Sequence, residues 1–154
     1  MQIEINYAYD NLAIVKQLFR EYTQYLNVDL SYQNYDGELA SLPGQYALPD
    51  GRLYLATVDG AAAGCIALRK VNETRCEMKR LYVRENFRGL KLGRQLAQKV
   101  IDDARTAGFQ ELVLDTYHFL TNAIRMYEKM GFEPIAPYYE NPDADKVLFF
   151  RLYL

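Results

Sequence analysis

The segment whose residue types most clearly suggest chemistry runs from Arg88 to Arg94 and reads Arg-Gly-Leu-Lys-Leu-Gly-Arg. It follows a strand-like segment and opens a helical one, and the first backbone N–H groups of a helix have no partner within the helix. The two glycines let an anion approach the backbone, and the basic side chains add charge that arginine can direct at phosphate through two hydrogen bonds. These features predict an anion-binding turn.

The turn differs from two familiar phosphate-binding motifs. A P-loop ends in Gly-Lys-Ser/Thr, which is absent here, and the dinucleotide fingerprint has another glycine spacing and a downstream acid for the ribose. Two glycines among basic residues also occur at ordinary helix starts. From spacing alone, both the phosphate site and the plain glycine-rich helix start therefore remain open.

Hydrophobic periodicity predicts the elements that must position this turn. Apolar residues alternate over 2–7 and recur at helical spacing over 11–26, which favours a strand followed by an amphipathic helix. Residues 27–51 are less regular, with a short helix near 33–41. Asp59-Gly60 is a strong hairpin signal between two strands. The remaining predicted elements are strands at 53–58, 62–71, 76–83 and 111–115, helices at about 91–107 and 120–130, and a strand pair at 132–136 and 147–154.

Strands and helices in this order favour an α/β sheet packed by helices, with antiparallel hairpins in its first half. Gly108 follows the helix of the turn and is a suitable C′ residue. No repeat or low-complexity tract interrupts the pattern.

Two segments resemble motifs of a known family. Glu77–Val83 followed by Arg88–Gly93 is similar to the core motif of the GNAT superfamily of N-acetyltransferases, a strand followed by Arg/Gln-x-x-Gly-x-Gly/Ala. Ala123–Phe132 is similar to the family's Ala-x-x-x-Tyr-x-x-x-Gly-Phe segment. The order of elements matches as well, so the resemblance covers essentially the whole chain. Lys91 stands at the middle glycine of the family motif, where it keeps the backbone N–H and adds a cation.

The resemblance implies a fold and an activity. The expected fold is α/β (α+β) and GNAT-like, with a mixed central sheet of about six to seven strands, a splayed strand pair and about four flanking helices. It implies one N-acetyltransferase domain over residues 1–154. The expected reaction moves an acetyl group from acetyl-CoA, as co-substrate, to a primary amine by direct attack in a ternary complex.

The resemblance also implies where coenzyme A binds. The strand before the turn would offer backbone groups to the pantetheine arm and to a developing oxyanion, and the turn would bind the pyrophosphate. The family often has asparagine at the position that Leu120 occupies here. Asn122 lies two residues further along the chain. The predicted cofactor contacts are Leu81, Tyr82, Val83, Arg88, Gly89, Leu90, Lys91, Leu92, Gly93, Arg94 and Asn122.

Two residues receive catalytic roles from the same resemblance. Tyr127 corresponds to the general acid that protonates the coenzyme A thiolate; from spacing alone it would be a core aromatic on an amphipathic helix. Glu77 lies on the strand before the turn, where family members often place a general base acting directly or through water. A salt-bridged strand residue, paired with Lys79 or Arg69, is an equal alternative for Glu77. His118, the single histidine, fits an ordinary loop residue better than a base.

Composition narrows the class of protein. The chain has 154 residues, a formal net charge of −2 and two cysteines. Two separated cysteines predict neither a zinc site nor a disulfide framework, and we expect them to be reduced in a cytoplasmic protein without a metal. We expect no membrane span, because no apolar run reaches about 18 residues, and no secretory signal. The acidic total disfavours nucleic-acid binding.

The charge is unevenly distributed, which bears on the second substrate. Residues 1–50 contain seven acids and two bases, whereas residues 79–105 contain eight bases and three acids. Several tyrosines fall where the family walls its acceptor site, namely Tyr25, Tyr32, Tyr35, Tyr46, Tyr138 and Tyr139. An aromatic, acidic pocket would suit a small cationic amine.

Other interpretations of the function stay open at this point. The tyrosines would equally serve packing or the interface of a homodimer. A peptide N-terminus or a protein lysine is the alternative acceptor. A non-catalytic acyl-CoA-binding module is the alternative to an enzyme, although such a module would not need Tyr127 as an acid.

Overall fold

Strands and helices follow one another along the chain in the predicted order. The structure, a computed structural model, describes residues 1–154 apart from the side chain of Tyr32. The strands are β1 (Ile3–Tyr7), β2 (Arg52–Val58), β3 (Ala61–Lys70), β4 (Arg75–Val83), β5 (Glu111–Tyr117), β6 (Glu133–Ile135) and β7 (Val147–Tyr153). The α-helices are α1 (Leu12–Leu26), α2 (Tyr35–Ser41), α3 (Leu92–Thr106) and α4 (Thr121–Lys129).

The seven strands form one mixed sheet in the order β1-β2-β3-β4-β5-β7-β6. β4 and β5 are parallel, because α3 crosses over between them, and the other neighbours are antiparallel. Asp59 and Gly60 turn the β2–β3 hairpin with φ of 50° and 83°, as expected for their residue types. The predicted mixed sheet and four helices are confirmed.

Helices cover both faces of the sheet, because alternate strand residues point to opposite sides. Leu96, Val100 and Ile101 of α3 pack with Ile66 and Leu112 on one face, in a cluster that also includes residues of α4. Val15, Leu18 and Phe19 of α1 pack with Leu53 and Ala67 on the other face. Since the sheet is covered on both sides, the one place where it opens becomes the natural site for a ligand. None of the described helices is both long and apolar enough to cross a membrane.

The sheet opens between β4 and β5. These strands pair only at Arg75–Glu111, Cys76–Leu112 and Glu77–Val113, and they separate beyond that point. On the other side of β4, the register with β3 shifts so that Arg80 and Leu81 together oppose Ile66. Arg80 has a φ of 60°, which marks a β-bulge that turns the end of β4 away from β5.

Candidate active site

A cavity of about 80 Å³ lies where β4 and β5 separate. Residues 78–81 of β4 form one wall, and residues 114–116 of β5 form the other. Tyr22 of α1, Leu120, and Ala123 and Tyr127 of α4 complete the lining. The bulge and the splay therefore bring two predicted site residues, Leu81 and Tyr127, to one cavity.

Tyr127 presents a hydroxyl without a hydrogen-bond partner among the described residues. Its ring packs edge-on against Phe132, with the centroids 5.6 Å apart, and the residue is 6% exposed. Burial raises the pKa of the phenol, so the hydroxyl keeps its proton at neutral pH. A protonated donor facing a cavity, with no structural hydrogen bond of its own, fits a proton-donating acid.

The turn before α3 leaves its backbone donors open. Lys91, the N-cap of α3, has φ 61° and ψ 27°, a left-handed conformation that glycine adopts most easily. Gly89, with φ 92°, is left-handed as well. No acceptor in the described part of the chain pairs with the backbone N–H groups of residues 89–94. These groups can therefore bind an anion, as the sequence predicts.

Gly93 leaves room beside this helix start. A Cβ added at Gly93 would have the Met126 sulfur as its nearest atom, at 3.8 Å, which is an ordinary contact. The protein's own packing thus does not require glycine there, whereas a pyrophosphate lying on the helix start would. Open N–H donors, an unfilled Cβ position and a free phenol in the adjacent cavity fit coenzyme A.

Arg88 connects the turn to α1. Its Nε–H donates to the Val83 carbonyl at 3.2 Å, and its guanidinium carbon lies 4.6 Å from the centre of the Tyr25 ring. Tyr25 is 52% exposed. The contact places Tyr25 beside the turn before α3 and away from the cavity lining.

The end of β4 has one paired edge and one open edge. Tyr82 and Val83 pair with Cys65 and Gly64 of β3, and neither pairs with β5. A Cβ at Gly64 would lie 2.6 Å from the Tyr82 carbonyl oxygen, so glycine permits this close approach of β3. The β5-facing edge of β4 is thus available to a ligand that enters the splay.

Glu77 is 1% exposed and accepts two short hydrogen bonds. The Arg69 Nε–H donates to Oε1 at 2.6 Å, and the Tyr138 hydroxyl donates to Oε2 at 2.6 Å. The Arg69 partner matches the salt bridge weighed from the sequence. The Tyr138 hydroxyl provides the only described contact through which a proton could reach the carboxylate, so the assignment of Glu77 as base stays a prediction.

Two of the seven acids in the first fifty residues, Glu38 and Glu21, form ion pairs with arginines of β4 or just after it. Glu38 of α2 accepts two hydrogen bonds from Arg80, at 2.9 and 3.0 Å, and both side chains are almost fully buried. Glu21 of α1 accepts two from Arg84, at 2.9 and 2.7 Å. The charges of Glu38 and Glu21 therefore stabilise the fold around the site and are not free to attract an acceptor.

Nine of the eleven cavity residues were not predicted as site residues, and two of these carry charges that bear on the acceptor. Lys79 and Asp115 line the cavity from β4 and β5 respectively. The sequence contains a feature that could have marked both as site residues, since each is a charged residue in an otherwise apolar or alternating strand. Alternation alone could not tell that their side chains face a cavity, because it does not reveal where the strands separate.

The remaining predicted residues lie outside the cavity. Asn122 is exposed at the start of α4, and His118 is exposed beside Phe119. Tyr46 is a fully buried core residue, whereas Tyr138 and Tyr139 contact the acids Glu77 and Asp115. Tyr32 lies outside the described side chains. Within those described, no group of three or more His, Cys, Asp or Glu could hold a metal ion.

Comparison with known proteins connects this geometry to a family. The model of the acetyltransferase (GNAT) family matches residues 13–132, most of the chain. A relative from Schizosaccharomyces pombe, named an uncharacterised N-acetyltransferase, is 42% identical, with 89% of this chain and 85% of the relative covered.

Two solved structures share the fold. An acetyltransferase from Streptococcus agalactiae superposes with a TM-score of 0.83 at 23% identity, over 99% of this chain and 98% of that one. A GNAT family acetyltransferase from Elizabethkingia anophelis, solved with acetyl-CoA bound, has a TM-score of 0.59 at 27% identity, over 73% of this chain and 82% of that one.

The family match spans the first helix, the splayed strands, the glycine-containing turn and the Tyr127 helix. Sequence motifs, sheet order and cavity thus lead to one conclusion: the chain belongs to the GNAT family of acetyltransferases.

Proposed function

We propose that this protein transfers the acetyl group of acetyl-CoA to the primary amine of a small acceptor, by direct attack within a ternary complex. The observation that carries the proposal is the Tyr127 hydroxyl, which has no hydrogen-bond partner among the described residues and lies in the cavity at the β4–β5 splay, next to the turn with open N–H groups. A binding module would need the turn but not a protonated donor at that position.

Each part of the site has a role in this proposal. The N–H groups of residues 89–94 bind the pyrophosphate, with Arg88, Lys91 and Arg94 adding charge around it. The open edge of β4 at Leu81, Tyr82 and Val83 holds the pantetheine arm. Asn122, at the exposed start of α4, is proposed to contact coenzyme A from outside the cavity.

An acceptor that binds as an ammonium must lose one proton before it attacks and a second as the amide forms, while one proton must reach the sulfur. As the amine nitrogen bonds to the acetyl carbon and the carbon–sulfur bond breaks, the Tyr127 hydroxyl gives its proton to the departing thiolate. Glu77 takes the first proton through water and the Tyr138 hydroxyl, which already donates to Oε2 at 2.6 Å. The second proton, lost from nitrogen as the amide forms, returns to the Tyr127 phenolate.

The acceptor amine is expected to be small and protonated in solution. Tyr22 and the carboxylate of Asp115 line the cavity, and tyrosine faces and a carboxylate both favour an ammonium group. A cavity of about 80 Å³ limits how much of the acceptor can enter. We further propose that residues 1–154 act as one domain, and the two buried free cysteines suit a reducing, cytoplasmic setting.

Thiol release from acetyl-CoA tests the function directly. The purified protein would be assayed with a panel of monoamines, polyamines, amino acids and lysine-containing peptides, with mass spectrometry of the product. We expect release that depends on a small amine. Turnover confined to peptides would favour the peptide acceptor, and hydrolysis without any amine product would contradict the proposal.

A further inference from the structure

The cavity carries opposite charges on its two walls. Lys79 lies on the β4 wall and Asp115 on the β5 wall, and Tyr127 closes the space beside them. The two strands have stopped pairing before these positions, since their last shared pair is Glu77–Val113. The splay therefore holds a cation and an anion apart.

Lys79 has no carboxylate within ion-pair distance among the side chains that the structure describes. Its ammonium donates to the Gln33 side-chain oxygen at 3.1 Å, a neutral partner. The neighbouring cation Arg80 differs, because Glu38 neutralises it through two hydrogen bonds. Burial lowers the pKa of Lys79, so the ammonium gains from any anion that binds beside it.

Asp115 likewise lacks an ion-pair partner in the described part of the structure. The Tyr139 hydroxyl donates to its Oδ2, and Oδ1 accepts no hydrogen bond from a described residue. Burial raises the pKa of the carboxyl group, so an ammonium beside it would stabilise its charged form. Each wall thus has one charged group that lacks an oppositely charged partner in an ion pair with a described residue.

We propose that the acceptor is an amine that also bears a carboxylate, of the amino acid type, with its ammonium against Asp115 and its carboxylate against Lys79. This inference rests on the proposed acetyltransferase function and names the class of its second substrate.

Electrostatics distinguishes this class from the alternatives. An unpaired charge in a buried site is costly, and a ligand that supplies both counter-charges relieves both walls. A purely cationic amine would satisfy Asp115 but would face Lys79 without compensation. The cavity volume of about 80 Å³ is also smaller than that of a cavity that binds benzene, ~150 Å³. The cavity therefore has room only for the charged end of an acceptor.

Matched pairs of acceptors test the proposal. Each of a set of α-amino acids is compared with its α-carboxamide, which keeps the amine and removes the carboxylate charge. We expect kcat/KM to favour the acids by about tenfold to a hundredfold, the range for one charged hydrogen bond.

Two variants test the contact at each cavity wall separately. Lys79→Met should abolish the preference for acids, because the loss of kcat/KM falls mainly on the acids, and Lys99→Met on the exposed face of α3 serves as the matched control. Asp115→Asn should lower kcat/KM for acids and carboxamides alike, because both present the same amine. Affinity for coenzyme A, measured by calorimetry, should stay unchanged in all three variants.

The possible results test the carboxylate contact of Lys79 separately from the acetyltransferase function. Equal use of acids and carboxamides by the wild type, or an equal loss for both with Lys79→Met, overturns the carboxylate assignment and leaves the acetyltransferase intact. If no amine is acetylated, the proposed function fails. Calorimetric titration of the same acids and carboxamides into coenzyme A-saturated protein then tests the Lys79 contact without turnover, because the contact predicts tighter binding of the acids.

Discussion

The two predicted catalytic side chains, Tyr127 and Glu77, differ in what surrounds them. The Tyr127 hydroxyl meets no described partner, whereas both oxygens of Glu77 accept a hydrogen bond of 2.6 Å. An unpartnered hydroxyl is free to serve a ligand, and a doubly bonded carboxylate already has a structural role. The two residues therefore call for different tests.

Tyr127→Phe should lower kcat by about a hundredfold or more while the affinity for coenzyme A stays nearly unchanged. The ring packing against Phe132 is retained and no described hydrogen bond is lost, so the unfolding temperature should hardly move. Steady-state kinetics, calorimetry and thermal unfolding measure the three quantities. Tyr153→Phe, at an exposed tyrosine of β7, is the control. An unchanged kcat would remove Tyr127 from the mechanism.

Glu77→Gln should reduce kcat/KM most at about pH 7 and progressively less towards about pH 9, because a base matters only while the amine is protonated. A pH profile of the wild type and the variant measures this. Tyr138→Phe should give the same profile if the phenol conveys the proton. Arg69→Gln breaks the salt bridge and keeps the carboxylate, so an equal, pH-independent loss in all three variants would assign Glu77 a structural role.

At the scale of elements, the turn into α3 shows why its sequence is unusual. The N-cap position is left-handed, and the family motif places glycine there. Lys91 accepts the strain of this conformation, about 1 kcal/mol, and adds a cation near the open N–H groups. Lysine at this position therefore lowers the stability of the fold and increases the positive charge of the turn.

Lys91→Gly should raise the unfolding temperature by about 2–4 °C, since glycine adopts this conformation without strain. Coenzyme A should bind several-fold more weakly at low salt, because one cation is lost, and the difference should shrink at high salt. Lys91→Ala is the matched control, as it removes the charge and keeps the strain. If both variants shift the unfolding temperature equally, the conformational explanation is wrong.

Gly93→Ala should separate ligand binding from folding. The added Cβ meets only the Met126 sulfur at 3.8 Å, and alanine favours a helix by up to about 1 kcal/mol, so the unfolding temperature should be unchanged or higher. The affinity for coenzyme A should fall by about tenfold or more if the pyrophosphate lies on this glycine. Gln98→Ala, on the exposed face of α3, should change neither quantity markedly. Unchanged affinity would place the pyrophosphate elsewhere.

The bulge in β4 depends on a second element. Arg80 holds a positive φ within a strand, and its guanidinium is bound on two atoms by Glu38 of α2. A strained backbone persists where its surroundings over-determine it. The short helix α2 thereby supports the opening of the sheet at which the cavity forms.

Across the whole molecule, the uneven charge of the sequence becomes a set of contacts between distant segments. Glu21 and Glu38 of the acidic first third meet Arg84 and Arg80 at the end of β4. These pairs fasten α1 and α2 to the strand that leads into the turn before α3. Two of the seven acids of the first fifty residues are thereby neutralised by bases of residues 79–105.

One consequence is a defined response to acid. The hydrogen bond from Arg84 lowers the pKa of Glu21 below its usual value. The stability it contributes is therefore present above about pH 4.3, the unfolded value, and is lost as the pH falls through the lower folded pKa. The free energy of unfolding of Glu21→Gln should differ from wild type above about pH 5, and the difference should shrink below about pH 4.

Urea unfolding from pH 3 to pH 7 measures this response. Glu128→Gln is the control, because Glu128 is exposed on α4 and forms no ion pair with a described residue. A difference for Glu21→Gln that stays constant across this pH range would show that Arg84 does not hold the carboxylate in solution.

Local features of the fold and site were readable from residue order. Helical and strand periodicity, Asp59-Gly60 and Gly108 predict elements that the structure contains, because each depends on the conformational preferences of near neighbours. The turn at Arg88–Arg94 was predicted from residue types and spacing, whereas the segment around Tyr127 was identified by its resemblance to the family motif. Their roles as ligand contacts and acid remain predictions.

Only the tertiary structure could decide which charged groups meet. Glu38 reaches Arg80 across 42 positions, Tyr138 reaches Glu77 across 61, and Lys79 faces the cavity opposite Asp115 because β4 and β5 separate after Glu77 and Val113. Neither the splay nor the bulge has a local signature, since both result from how strands distant in sequence pair. The sequence by itself thus determined the elements and the glycine-containing turn before α3, whereas the arrangement of charges around the cavity depends on packing between segments.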